Sequence, residues 1–203
     1  MKIITPLPNK ITLACSGGID SMFGLHFLRQ SGRNIQCIFF NHGTRDSSLA
    51  EKFLIRNNVN PIVGRIKNVR PKSMSQEEFW RNERYSFFRQ FENVITCHHL
   101  DDVVETWLMS SCFGMPKTIP YRNGNVIRPF LFVKRKEIID YVNRHEIMFI
   151  DDRSNSDLKY SRNRIRHNVI PQLMNVNPGI HKNISRVLKE NIYKEQVNEF
   201  DLI

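Results

Sequence analysis

Two short runs in this chain carry side chains able to do chemistry. The first is Ser16-Gly17-Gly18-Ile19-Asp20-Ser21, which directly follows the apolar run Ile-Thr-Leu-Ala-Cys. Gly17 and Gly18 let backbone N–H groups approach an anion with no Cβ in the way. Ser16 and Ser21 add hydroxyl donors. A helix beginning at Ile19 would aim its unpaired N–H groups and its positive dipole end at the same point. Asp20 is out of place in a bare anion site and makes sense beside a Mg²⁺ that bridges it to phosphates. The plain alternative is a glycine turn joining a strand to a helix. Ser-Gly-Gly-x-Asp-Ser after an apolar strand points instead to a nucleotide site. The run has neither the lysine of a Walker A loop nor the G-x-G-x-x-G spacing of dinucleotide folds.

The second run is His98-His99-Leu100-Asp101-Asp102-Val-Val-Glu105-Thr106, after another apolar stretch. Asp102 and Glu105 are three apart and share a helix face. Carboxylates there suit Mg²⁺ or an ammonium group, and His98 suits a phosphate oxygen or a moving proton. The bland reading is an N-cap aspartate with solvated neighbours. Zinc on His98, His99 and Cys97 is disfavoured, because adjacent residues do not easily share a tetrahedral ion. A third run, residues 159–167, holds Lys159, Arg162, Arg164, Arg166 and His167 with no acid. Arg162 and Arg166 share a helical face and suit phosphate, or else form a solvated face.

The elements around these runs alternate. Strands are expected at 11–15, 35–40, 61–66 and 94–97. Helices are expected at 19–30, 47–57, 75–91 and 101–112, with Trp80, Phe87, Phe88 and Phe91 on one face of the third and a Ser75/Glu78 capping box at its start. This predicts an α/β fold: a doubly wound, mostly parallel sheet with helices on both faces, Rossmann-like. In such a sheet both loops sit at the carboxyl edge, adjacent if their strands are neighbours. Residues 115–129, rich in proline and glycine, read as an irregular loop. Helices follow at 134–145, 160–174 and 179–200. We expect a core over 1–130 and a small helical C-terminal extension over 131–203.

Composition narrows the partner. Thirty Lys and Arg against 20 acidic residues give +10 over 203 residues, and a pI near 9.7. That favours a polyanion such as nucleic acid. Cys15, Cys37, Cys97 and Cys112 form no C-x-x-C pair, which disfavours zinc ribbons and redox motifs. With no long apolar run and no signal-peptide core, we expect a soluble cytoplasmic protein with no membrane partner.

The first run resembles the PP-loop of ATP pyrophosphatases, which cleave ATP between the α- and β-phosphates. Together with His-His-Leu-Asp-Asp-x-x-Glu-Thr it resembles the tRNA(Ile)-lysidine synthetases. Further segments agree: Asn41-His42-Gly43-Thr44-Arg45; Glu77 to Arg81 with Arg84 and Tyr85; Arg128-Pro129; Arg135 with Glu137; and Asp152-Arg153-Ser154-Asn155 through Tyr160, Arg162, Asn163 and Arg166. The resemblance covers about residues 10–175. It implies a ligase using ATP and Mg²⁺. Cytosine O2 at the wobble position of tRNA(Ile) with a CAU anticodon attacks the α-phosphate, pyrophosphate leaves, and free L-lysine then attacks C2 and expels AMP.

Carried over by position, Ser16, Gly17, Gly18, Ile19, Asp20 and Ser21 would bind ATP, with Asp20 and Asp102 near Mg²⁺. The catalytic set would be Asp20, His98, Asp102 and Glu105. Glu105 would lie near the lysine ammonium, and Arg81, Arg84, Arg128, Arg162 and Arg166 near nucleotide or tRNA. The general base stays open among His98, Asp102 and Glu105. The chain departs from the family pattern after Thr106, where the glycine-rich loop is short and Phe113 stands in place of a basic residue. The sequence runs to Ile203, where many relatives of the family it resembles continue into further tRNA-gripping domains. A short, catalytic-domain-only form is therefore expected, with the terminal helix as the candidate surface for pairing two copies into a homodimer. The rival readings are a tRNA thiolase of the same superfamily, which calls for paired cysteines, and a catalytically reduced ATP- and RNA-binding module.

Overall fold

The computed structural model describes residues 1, 3–4, 6–151 and 157–200. The first half alternates as expected: β1 (Lys10–Ala14), α1 (Ile19–Arg29), β2 (Asn34–Asn41), α2 (Arg45–Arg56), β3 (Ile62–Arg65), α3 (Gln76–Phe88), β4 (Val94–Ile95) and α4 (Leu100–Ser111). A short hairpin, β5 (Arg122–Asn123) and β6 (Val126–Ile127), precedes α5 (Arg135–Arg144). Then come α6 (Ser161–Arg164), a π-helical turn (Ile165–Val169), α7 (Ile170–Val176) and α8 (Ile180–Phe200).

The described strands form one six-stranded sheet in the order β3-β2-β1-β4-β6-β5. Neighbours run parallel except β5, which pairs antiparallel with β6. β1 lies between β2 and β4, so the loops leaving β1 and β4 are adjacent at the carboxyl edge. Connections shift here from one side of the sheet to the other, which is where open α/β sheets place ligands. The doubly wound expectation holds.

Several local expectations need correction. The 115–129 stretch is not simply a loop, because Val126 and Ile127 pair in register with Val94 and Ile95. Its prolines and Gly124 hid a strand two residues long. The helix expected at 160–174 is broken by the π-turn. On α3 the buried aromatics are Phe79, Phe87 and Phe88, while Trp80 is half-buried with its ring 5.2 Å from that of His42. Ser75 does cap α3, accepting from Glu78 N–H at 3.2 Å.

Burial organises the rest. Leu13, Phe23, Leu28, Phe130, Ile138 and Val142 join β1, α1 and α5 in one apolar cluster. Val103 and Val104 of α4 pack with Ile165, Ile184, Leu188 and Ile192, so the C-terminal helices close over the same helix that carries the acidic run. Among the described residues, no helix is long and apolar enough to cross a membrane.

Candidate active site at the carboxyl edge of the sheet

The Ser16–Ser21 loop is shaped by its own hydrogen bonds. Gly17 has φ +82°, a conformation that L side chains rarely adopt. Gly18 is the N-cap of α1, leaving the Ile19 and Asp20 amides open at the helix start, while the Ser21 and Met22 amides donate to Gly18 O. Ser21 is buried, and its hydroxyl donates to Gly18 O at 2.9 Å while accepting from Ser16 N–H at 3.1 Å. That hydroxyl braces the loop, whereas Ser16 remains exposed. Gly17 O accepts from Ile150 N–H at 2.8 Å, which ties the loop to the segment after α5.

The second run meets this loop through His99 rather than through the residues that spacing singled out. His99 is the N-cap of α4, with no exposed surface. Asp102 N–H donates to His99 Nδ1 at 3.4 Å, and His99 N–H donates to Asp102 Oδ2 at 3.0 Å. The cap is therefore an imidazole, and the expected N-cap aspartate is displaced to the first turn. On its other side, His99 Nε2 lies 3.6 Å from Asp20 Oδ1. His99 is the functional candidate that sequence reasoning passed over; its position just before an acidic helix start was the available signal.

The carboxylates differ in commitment. Asp101 accepts from Arg135 N–H at 2.7 Å and lies 3.2 Å from His181 Nε2, joining α4 to α5 and α8. Burial pushes its carboxyl up, but the His181 and Arg135 bonds outweigh that and bring it to about 2. Asp102 is likewise pushed up by burial and carried below the usual range by His99, His98 and Arg162. Asp20 goes the other way: burial raises it and Asp102 adds to the rise, against the pull of His99. Its Oδ1 is buried with no hydrogen-bond partner.

Glu105 is 1 % exposed and enclosed by the basic segment. Arg162 Nε donates to Oε2 at 2.9 Å; Arg166 donates through Nε to Oε1 at 2.6 Å and through its terminal nitrogen to Oε2 at 3.0 Å. Arg166 also lies 3.5 Å from Asp102 Oδ1. The structure thus joins Glu105, Arg162 and Arg166, which the sequence had assigned to separate tasks. The first part of the matching motif, residues 152–156, lies outside the described residues.

A second basic group gathers at Tyr85. Arg128, 2 % exposed, donates to Pro120 O at 2.8 Å and to Tyr85 Oη at 3.2 Å. Arg81 lies over the Tyr85 ring, 4.7 Å from its centroid. Burial lowers the Arg84 pKa. His98 stands between the two basic groups, with Nδ1 3.0 Å from Thr96 Oγ1. Burial drives its pKa down to about 3, against the pull of Asp102 and with help from Arg128, Arg162 and Arg84. It is a neutral hydrogen-bonding ring at neutral pH. Phe113 stands exposed just past α4.

Asp20 and Asp102 fit a hard divalent cation. Mg²⁺ takes one or two carboxylates, with substrate phosphates and water completing its shell, and the vacant Asp20 Oδ1 marks a carboxylate that the protein itself does not satisfy. Among the described residues no cluster of three metal-ligating side chains exists, so a cage made by protein alone is absent there.

The chain is similar in sequence to known proteins over most of its length. The tRNA(Ile)-lysidine synthase of Thermosipho africanus is 33% identical over 209 residues, covering 92% of this chain and 48% of that protein. The tRNA(Ile)-lysidine synthase of Legionella pneumophila is 35% identical over 197 residues, covering 87% and 45%. The chain thus spans about half the length of the curated relatives it matches. Among solved structures, an NMN synthetase from Francisella tularensis superposes with a TM-score of 0.42 at 15% identity, over 68% of this chain and 61% of that one. The sequence model of the PP-loop domain matches residues 3–173, a span that takes in the phosphate loop, the acidic start of α4 and the arginines that close on Glu105. The chain belongs to the PP-loop domain family.

Proposed function

We propose that this chain uses ATP to attach free L-lysine to C2 of the wobble cytidine of tRNA(Ile) bearing a CAU anticodon, forming lysidine with release of AMP and pyrophosphate. The observation that carries the reading is the meeting of three separate runs at one sheet edge: the Gly17-Gly18 loop, the Asp102/Glu105 helix start and the Arg162/Arg166 segment. The names of its relatives supply the reaction class.

In the first step, backbone N–H groups at Gly18 and Ile19 and the start of α1 bind the ATP phosphates. Cytosine O2 attacks the α-phosphorus, the bond to the β-phosphate oxygen breaks, and pyrophosphate leaves. Charge builds on the α-phosphate oxygens, and preset N–H donors and arginines lower the barrier where it builds. Mg²⁺, held by Asp20 and Asp102, would neutralise phosphate charge. Neutral His98 contributes a hydrogen bond, not a charge. In the second step the lysine amine attacks C2, loses a proton, and AMP departs. The lysine ammonium reaches Glu105 by exchanging with Arg162, the more exposed of its two partners. Arg81, Arg84 and Arg128 present positive charge to the tRNA backbone. Residues 1–130 form the core, and the extension of 131–203 completes it, α5 through its apolar cluster with β1 and α1 and the later helices through theirs with α4. The protein works in the cytoplasm, with pairing of two copies open to light scattering.

Labelled lysine, tRNA(Ile) with a CAU anticodon, and ATP should give acid-precipitable label that depends on ATP. Absence of label alongside retained ATP and tRNA binding would refute the reading.

A further inference from the structure

His99 contacts both loops of the site and has no part in the scheme above. Its ring is fully buried, and its two nitrogens face different partners. Nδ1 accepts the Asp102 amide at 3.4 Å, with Asp102 Oδ2 and Asp101 Oδ2 farther off at 3.5 and 3.8 Å. In the neutral ring that acceptor role places the proton on Nε2, since the two nitrogens take opposite roles. Nε2 is buried and unpartnered, and so is Asp20 Oδ1, and the two lie 3.6 Å apart. That gap exceeds a hydrogen bond, and such contacts tighten when a site is loaded. A buried donor and a buried acceptor left unmade each carry an uncompensated desolvation cost. Closing the gap relieves both. With Oδ1 buried, the 33 % exposure of the Asp20 side chain falls on its remaining atoms, Oδ2 among them.

We propose that His99 is a positioning residue for Asp20: capping α4 through Nδ1 fixes its proton on Nε2, and that N–H grips Asp20 Oδ1, aligning the other carboxylate oxygen for the cation that accompanies ATP. The cap of one helix thereby sets the carboxylate of another. The inference rests on the assignment of Asp20 to nucleotide and cation, and it accounts for an imidazole at a position where serine, threonine, aspartate or asparagine ordinarily serves.

Two substitutions separate the halves of this role. His99→Asn keeps a cap acceptor for the Asp102 amide but cannot reach Asp20. His99→Gln supplies a reaching N–H but a poorer cap. The full chain is followed by thermal denaturation, by calorimetric titration of Mg²⁺ in the presence of a non-hydrolysable ATP analogue, and by ¹⁵N spectra of the imidazole rings. His99→Asn should melt near the parent yet need about 10-fold more Mg²⁺ for half-saturation, the scale set by groups that orient metal ligands. His99→Gln should melt lower while recovering most of the Mg²⁺ affinity. The parent ring should show the Nε2–H tautomer, and Asp20→Asn should shift its ¹⁵N resonance. An unchanged Mg²⁺ requirement in a folded His99→Asn protein, or an Nδ1–H tautomer, would overturn the proposal. The ring spectra need no nucleotide. If the parent itself failed to bind the ATP analogue, the nucleotide reading would fall, and the tautomer and its response to Asp20→Asn would still decide the grip.

Discussion

Glu105 offers the sharpest test of how the basic segment is held. Its carboxylate is buried and accepts three bonds from two guanidinium groups, at 2.9, 2.6 and 3.0 Å. Glu105→Gln preserves shape and removes the charge. Breaking a buried ion pair from one side costs about 3–5 kcal/mol, because the partner charge stays behind. Two features hold the cost to the lower end. Arg162 is 41 % exposed, so water screens much of its loss. Arg166 is 21 % exposed and keeps Asp102 at 3.5 Å. We expect about 3 kcal/mol for Glu105→Gln, and at about 2–4 °C per kcal/mol for a chain of this size, a fall in Tm of about 6–12 °C. Arg166→Gln should cost less than Glu105→Gln, since Arg162 remains on the carboxylate, and Arg162→Gln less again. Thermal denaturation at neutral pH and low salt reads all three. A Glu105→Gln protein melting within about 2 °C of the parent, under 1 kcal/mol, would refute the view that Glu105 anchors the segment, leaving its carboxylate free for an incoming ammonium.

Three further outcomes follow from the same geometry. Asp20→Asn should lower lysine incorporation by about 10²-fold or more while leaving Tm equal or higher, because burial disfavours the Asp20 charge in the folded state; retained incorporation would remove Asp20 from the chemistry. Gly24→Ala places a methyl on Cys97 Sγ, whereas the Cys97 β-carbon stands 3.7 Å away; we expect a loss of about 1–3 kcal/mol that Cys97→Ala largely reverses, and failure of that rescue in denaturant titrations would refute the packing argument. His42 and His98, lowered to about 4 and about 3, stay neutral in the fold while the unfolded chain takes up protons below about 6.5. Stability is therefore full above that value and falls as pH drops toward 4, by about 2 kcal/mol between pH 6 and pH 5; Asp101 and Asp102, lowered from 3.8, add their losses only below that window. Urea unfolding free energies that are flat from pH 7 to pH 5 would count against buried neutral imidazoles.

Much of the architecture was legible because periodicity and turn chemistry agreed. The run from Ile11 to Cys15 into Ser16-Gly17-Gly18 and a helix at Ile19 was readable locally, since each step depends on neighbours in sequence. What escaped depended on distance. Val126 and Ile127 form too short a run to register as a strand, and only pairing with Val94 and Ile95 makes them one. The partnership of Glu105 with Arg162 and Arg166 crosses about sixty residues, and charge spacing alone offered lysine or phosphate as readily. His99 was hidden by its twin: His98 and His99 read alike in sequence, yet one stands by Thr96 and the basic groups while the other is turned inward among three aspartates.

The acidic side of the site explains why a basic segment from the far end of the chain reaches a phosphate loop. Asp20, Asp101, Asp102 and Glu105 would together repel a polyanion. Each of the last three is satisfied from a different element: Asp101 by the starts of α5 and α8, Asp102 by the backbone of His99, Glu105 by two arginines. Those contacts hold three carboxylates in place without leaving their charge free to oppose the nucleotide. Asp20 alone among the four combines a raised pKa with a vacant oxygen. On the proposed reading, a cation arriving with ATP would take the other Asp20 oxygen, the one that His99 does not face, at the first turn of the helix whose N-terminus would face the phosphates. On this argument the α4 carboxylates and the Arg162/Arg166 segment belong to one charge-balanced unit, and moving either arginine off Glu105 would disturb phosphate binding even at residues that never touch it.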